Sequence, residues 1–172
     1  MQIRWNIFFA VGMACLSSVA NGEIIYYTDL FNPPTQIIFE NNHVTAFDLL
    51  SPLKRCAVKS KFICFNANGL KFAIPKNPAE QQRWSYDGVT YTRKKMQKMG
   101  VLGQEVTVYF IQQQGKNGTL EFIYSMERGL LAFGGVFEKP KFFFLENDCG
   151  FGSPSDCNLK ARQDGASQRR HP

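Results

Sequence analysis

The sequence predicts a mainly β protein, an antiparallel meander that curls into a sandwich or a partly closed barrel. Short β-prone runs recur along the chain, each bounded by Asn, Gly, Pro or Asp. Sixteen phenylalanines among 172 residues, with 44% hydrophobic residues overall, supply enough apolar surface for a packed core. One run, Phe142-Phe143-Phe144-Leu145, has no polar face, as expected of a central strand covered on both sides or one crossing between sheets. A flat sheet would leave an apolar face in water, so about ten strands in consecutive hairpins must fold back on themselves.

Taken in order, residues 23–30 form a first strand, ended by Asn32-Pro33-Pro34 because proline lacks the ladder donor. Residues 36–40 and 43–48 flank Asn41-Asn42, and asparagine tolerates the positive φ of a tight hairpin. A second hairpin joins 61–65 to 70–74 and is closed by Pro75 and Pro78. Asp87-Gly88 turns 83–86 into 89–92, after which 93–99 is expected to add one or two helical turns before Gly100. The strongest pair is 105–113 with 119–126, where Leu120, Phe122, Tyr124 and Met126 share one face while Glu121 and Ser125 point away. Residues 130–133 and 141–146 complete the set. The alternative is an α+β fold with a small helix on the sheet at 46–56 or 78–84.

Residues 1–20 read as a secretory signal peptide: Arg4, an apolar run over 7–16, then Ser18-Val19-Ala20 with cleavage expected after Ala20. The run is about half the roughly 20 residues that a bilayer-crossing helix needs, so no transmembrane span is expected. Lipid attachment at Cys15 is the alternative. The expected mature chain is one β-rich domain over 21–157 followed by a basic tail over 158–172. Its cysteines are Cys56, Cys64, Cys149 and Cys157, an even set that suits an oxidising compartment, outside the cell or in the periplasm. Four cysteines allow three pairings; the identical spacing of the two local pairs favours Cys56 with Cys64 and Cys149 with Cys157. Zinc ligands within a pair usually lie closer together, so no metal and no cofactor is expected.

The net charge of +6 is mostly terminal: Arg4 sits in the leader, and Lys160, Arg162, Arg169 and Arg170 outweigh Asp164 in the tail. What remains gathers around Lys54, Arg55, Lys59 and Lys61, and around Arg93-Lys94-Lys95 with Lys98. In an exported protein such patches meet an acidic protein, an acidic polymer or lipid head groups rather than nucleic acid.

Catalytic constellations are scarce. His43 lies at a turn and His171 in the tail, so neither is placed to serve as a general base. Ser51-Pro52-Leu53-Lys54 matches Ser-x-x-Lys but lacks the companion motifs that chemistry needs. Glu146 with Asp148, or Glu121 with Glu127, could act as a glycosidase pair at suitable separation. Gly150-Phe151-Gly152-Ser153 has no third glycine and no following helix to hold phosphate. Asn117-Gly118-Thr119 is both a glycosylation sequon and a turn.

The loop between Cys149 and Cys157 is the best interaction candidate. Its disulfide limits the entropy lost on binding, with Phe151 as an apolar anchor and Ser153, Ser155 and Asp156 as polar contacts. The sequence therefore reads as an exported, non-enzymatic binding protein on a disulfide-stapled β scaffold. Its expected form is an inhibitor or immunity protein that blocks an envelope-acting enzyme, its partner a protein in the envelope or extracellular space. The alternatives are a carboxylate-dependent hydrolase of envelope polysaccharide, and a binder of lipid or acidic glycan, for which a Phe-lined cavity would indicate an apolar ligand.

Overall fold

Thirteen strands build the computed structural model, which describes residues 24–67, 69–101, 103–115, 118–136, 141–154 and 157. The expected signal peptide, Cys15, Asn117, Ser155, Asp156 and the tail 158–172 lie outside the described residues.

Two antiparallel meanders make the large sheet. The first comprises β1 (Ile24–Asp29), β2 (Gln36–Glu40), β3 (His43–Ala46) and β4 (Leu49–Pro52). The second comprises β8 (Arg83–Tyr86), β9 (Val89–Val101), β10 (Gln104–Gly115), β11 (Gly118–Ser125), β12 (Gly129–Val136) and β13 (Lys141–Leu145). They join where β1 pairs with β13, Tyr27 opposite Leu145 and Asp29 opposite Phe143, giving a ten-stranded sheet. Between the meanders in sequence, β5 (Lys54–Arg55), β6 (Phe62–Ala67) and β7 (Leu70–Pro75) form a separate three-stranded sheet. The result is a mainly β sandwich, not closed into a barrel. The expected disulfides are both present, with Cα separations of 5.3 Å for Cys56–Cys64 and 6.1 Å for Cys149–Cys157.

Turn chemistry explains the hairpins. Asp87 (φ 48°) and Gly88 (φ 74°) adopt the left-handed pair that suits the twist of β8 and β9. A second such turn, absent from the sequence reading, is made by Phe47 (φ 51°) and Asp48 (φ 62°) between β3 and β4. Phenylalanine in that region is a steric outlier, because its Cβ crowds the backbone.

Three expectations are corrected. Residues 93–99 are not helical but lie inside β9, paired with β10 from Arg93 opposite Ile111 to Met99 opposite Val106 across a register shift at Lys94. The segment 46–56 is not a helix either; it holds β4 and β5, and 78–84 leads into β8. The run Phe142-Leu145 is central, between β12 and β1, but covered on one side only: Phe143 is buried and Phe144 is 39% exposed.

The inner face of the large sheet is strongly aromatic. Along β1 burial alternates, with Ile25, Tyr27 and Asp29 inward, the period-two pattern of a strand against a core. Phe65 of β6 and Phe72 of β7 enter this face, Phe65 meeting Phe39 at 5.0 Å and Phe72 meeting Phe122 at 5.1 Å between ring centroids. Such pairs add about 0.5–1.5 kcal/mol each beyond the area they bury. Trp84 of β8 donates its indole N–H to the Ala73 carbonyl at 2.8 Å, tying the far edge of the large sheet to β7. The small sheet is thus held from β2 across to β8.

Candidate functional site

Antiparallel alternation gives the sandwich two unlike ends. One carries the β2–β3 and β11–β12 turns and the segment after β13; the other carries the β1–β2 and β3–β4 turns and the start of β13.

The first end is sealed by the loop after Cys149. Gly150 N–H donates to the Arg128 carbonyl at 2.7 Å, and Leu130 N–H to the Phe151 carbonyl at 2.9 Å. The Tyr27 hydroxyl donates to the Leu130 carbonyl at 2.9 Å and accepts from Phe151 N–H at 3.0 Å. These bonds drive Phe151 inward, where it is 4% exposed and its ring meets Phe65 at 4.9 Å and Phe39 at 5.8 Å. Phe151, expected as an apolar anchor for a partner, is packed here as a plug of the core. The glycines flanking Phe151 do not say which way its ring points.

Two of the predicted surfaces do converge at this end. Arg55 lies over the Phe151 ring at 5.2 Å and donates to the Asn41 carbonyl at 2.9 Å. It shares with Asn41, Asn42 and half-buried Ser153 a polar cleft of about 450 Å³ floored by Gly150, Phe151 and Gly152. Lys54, Lys59 and Lys61 are exposed and do not line that cleft.

Beside it lies a cleft of about 510 Å³ that includes Gln104, Glu105, Glu127 and Arg128. Arg128 is buried and donates to the Asp148 carbonyl at 3.0 Å and to Gln104 Oε1 at 2.9 Å, so it braces the loops it touches. Of the four carboxylates proposed for hydrolysis only Glu127 lines this cleft, and its companion there is Glu105, ion-paired with Lys98 at 2.9 Å. Glu146 accepts a hydrogen bond from the Thr28 hydroxyl on the other face of the sheet from Tyr27, and Glu121 accepts one from Gln112. Ser51 and Lys54 sit on different strands rather than one helical turn apart, and His43 opens β3. Among the described residues no group of three or more His, Cys, Asp or Glu could hold a metal, and no helix is long and apolar enough to cross a membrane.

The opposite end is open. The layers part there around a cavity of about 260 Å³ lined by Ile37, Val44, Phe133 and Phe143 of the large sheet and by Ala67 and Leu70 of the β6–β7 turn. Its few polar contributions are Ser51 and the rim residue Lys141, whose ammonium lies 5.1 Å from the Phe47 ring centroid. Gly134 makes the wall possible, since a Cβ there would come within 2.1 Å of the Lys141 carbonyl oxygen. Sequence reasoning missed this site because Ala46, Leu70 and Phe133 carry no motif; they form a cavity only once β3, β7 and β12 are assembled.

Burial also sets the response to base. Tyr124 donates its hydroxyl to the Gly152 carbonyl at 2.9 Å, and desolvation, reinforced by Glu127, raises its ionisation well above the ordinary 10.0. Tyr91 is raised likewise, first by burial and then by Asp87. In the folded state both keep a proton that the unfolded chain loses near pH 10.0, so they leave stability unchanged below that pH and reduce it as pH rises further. In an alkaline titration their tyrosinate absorbance is expected to appear together with loss of the β circular dichroism signal. Ionisation of both while the signal persists would contradict this.

Against family models, curated proteins and solved structures the chain gives no match.

Proposed function

We propose that this chain is an exported, non-enzymatic binding protein whose ligand carries an apolar tail, taken into the cavity at the open end. The observation that carries the reading is the cavity itself: a space between two packed layers, walled by Ile37, Val44, Leu120, Phe133 and Phe143, with one ammonium at its rim. Apolar walls with few polar groups are the usual make-up of a small-molecule site. Each methylene buried there contributes about 0.8 kcal/mol. Lys141 at the rim suits an anionic head group left in water, as in a fatty acid or a phospholipid. The two disulfides suit an oxidising, extracytoplasmic setting.

The inhibitor reading has less support with Phe151 packed in the core. Of the carboxylates the hydrolase reading names, only Glu127 lines the cleft beside Arg128.

The test is titration of the oxidised protein with a fluorescent fatty acid such as cis-parinaric acid. Saturable one-to-one binding with a dissociation constant of about micromolar is expected. Ala46→Trp, which fills the cavity from β3, is expected to weaken it at least ~tenfold with an unchanged melting temperature. Failure of the parent to bind, or equal binding by the filled variant, would remove the proposal.

A further inference from the structure

Around the mouth of the cavity the chain exposes apolar side chains on two adjacent turns. Leu30 is 62% and Phe31 69% exposed at the β1–β2 turn, and Phe47 54% and Leu49 60% exposed at the β3–β4 turn. Both turns sit beside the start of β13: Leu30 N–H donates to the Phe142 carbonyl at 3.1 Å, and the Phe47 and Phe143 rings lie 6.1 Å apart.

These residues are held outward, not left there by slack. Asp29, 2% exposed, accepts from Phe31 N–H at 3.0 Å, while Asp29 N–H donates to the Thr35 carbonyl and Thr35 N–H to that of Asn32, so the turn that presents Leu30 and Phe31 is braced from within. Phe47 occupies a left-handed position (φ 51°) where asparagine or glycine would fit without crowding. A bulky ring kept at an unfavourable backbone angle and half in water is the kind of local strain that accompanies a contact made by the ring. Lys141 is exposed and holds its ammonium 5.1 Å from the centre of that same ring, a position from which it can reach the level of lipid head groups.

From this we infer that the open end docks on a lipid bilayer, with Leu30, Phe31, Phe47 and Leu49 entering the interface and Lys141 meeting anionic head groups. The inference rests on the lipid-tail reading of the cavity, because a tail ligand has its reservoir in a membrane and would pass from it into a mouth already in contact.

The experiment is flotation of the oxidised protein from residue 21 onward, which retains every described strand, with vesicles of equimolar phosphatidylcholine and phosphatidylglycerol. The parent is expected to float with the vesicles. Phe31→Ser combined with Leu49→Ser is expected to reduce partitioning roughly tenfold for each side chain removed, since each buries an apolar side chain in the interface. Phe47→Asn, better suited to its φ, is expected to keep or raise the melting temperature while reducing flotation. Ala46→Trp is expected to float like the parent, which separates docking from occupancy of the cavity. A parent that binds the fatty acid probe but stays with the soluble fraction overturns docking and leaves the cavity reading standing. A parent that floats but does not bind the probe supports docking and removes the cavity reading. Rim variants that float like the parent overturn docking, as does rim-dependent capture of a protein by a parent that ignores vesicles.

Discussion

Replacing Phe151 by alanine is expected to destabilise the fold by about 3–5 kcal/mol, the range for deleting a buried aromatic ring. The ring is the common neighbour of Phe39 and Phe65, one from each sheet, so its removal opens a void at the joint between layers. Arg55 would also lose the face it lies over, a contribution of about 0.5–1 kcal/mol at a partly exposed site. Urea denaturation should report the change as a lowered midpoint with an unaltered slope, the mark of a changed native state rather than a changed unfolded one. Phe151→Leu, which keeps much of the volume, should recover most of the loss. If Phe151→Ala unfolds with the parent's midpoint, the ring does not plug the core.

The second large effect is expected at Gly150. A Cβ there would lie 2.0 Å from the Leu130 carbonyl oxygen, 2.9 Å from its carbon and 3.0 Å from the Tyr27 hydroxyl. Two of those atoms are backbone of β12, in the middle of the sheet, and cannot move aside without breaking its pairing with β11. Gly150→Ala should therefore force the loop outward, breaking the Gly150 to Arg128 and Leu130 to Phe151 backbone bonds and drawing Phe151 from its seat. A loss of at least about 3 kcal/mol is expected, the upper part of the range for overpacking. Gly100→Ala is the matched control, since nothing lies within 4 Å of a Cβ there, and it should be close to neutral. Equal stability of the two variants in the same denaturation experiment would refute the close approach.

What could be read in the sequence follows from how local each signal is. Asp87-Gly88 and Asn41-Asn42 turn the chain by their own conformational preferences, so their hairpins were legible, as was the period-two pattern of Leu120, Phe122 and Tyr124. The disulfides followed from spacing. Residues 93–99 went astray because Arg, Lys, Met and Gln favour helix locally, and only pairing with residues 106–111 overrides that preference. Phe47 in the Phe47-Asp48 turn contradicts turn propensity, and such contradictions tend to fall at functional positions. Phe151 and the exposed Leu30, Phe31 and Leu49 are equally apolar in sequence. Which is plug and which is rim depends on the long-range bonds of Tyr27 and on the pairing of β1 with β13, and neither leaves a local trace.

That pairing has a consequence for the order in which the fold can be made. Tyr26 and Asn147, joined by a 2.7 Å hydrogen bond, are 121 residues apart in the chain. If the chain is delivered across a membrane from its N-terminus, β1 to β4 arrive first and can zip locally, but β1 then presents a bare row of donors and acceptors until β13 follows. An unpaired edge of this kind is a template for pairing with other chains. Non-local pairing of this sort is also slow to form. The interval between arrival of the first strand and the last is thus the period of greatest exposure to aggregation. Truncation before β13 would make it permanent, with β1 left as a sticky margin in an otherwise foldable chain.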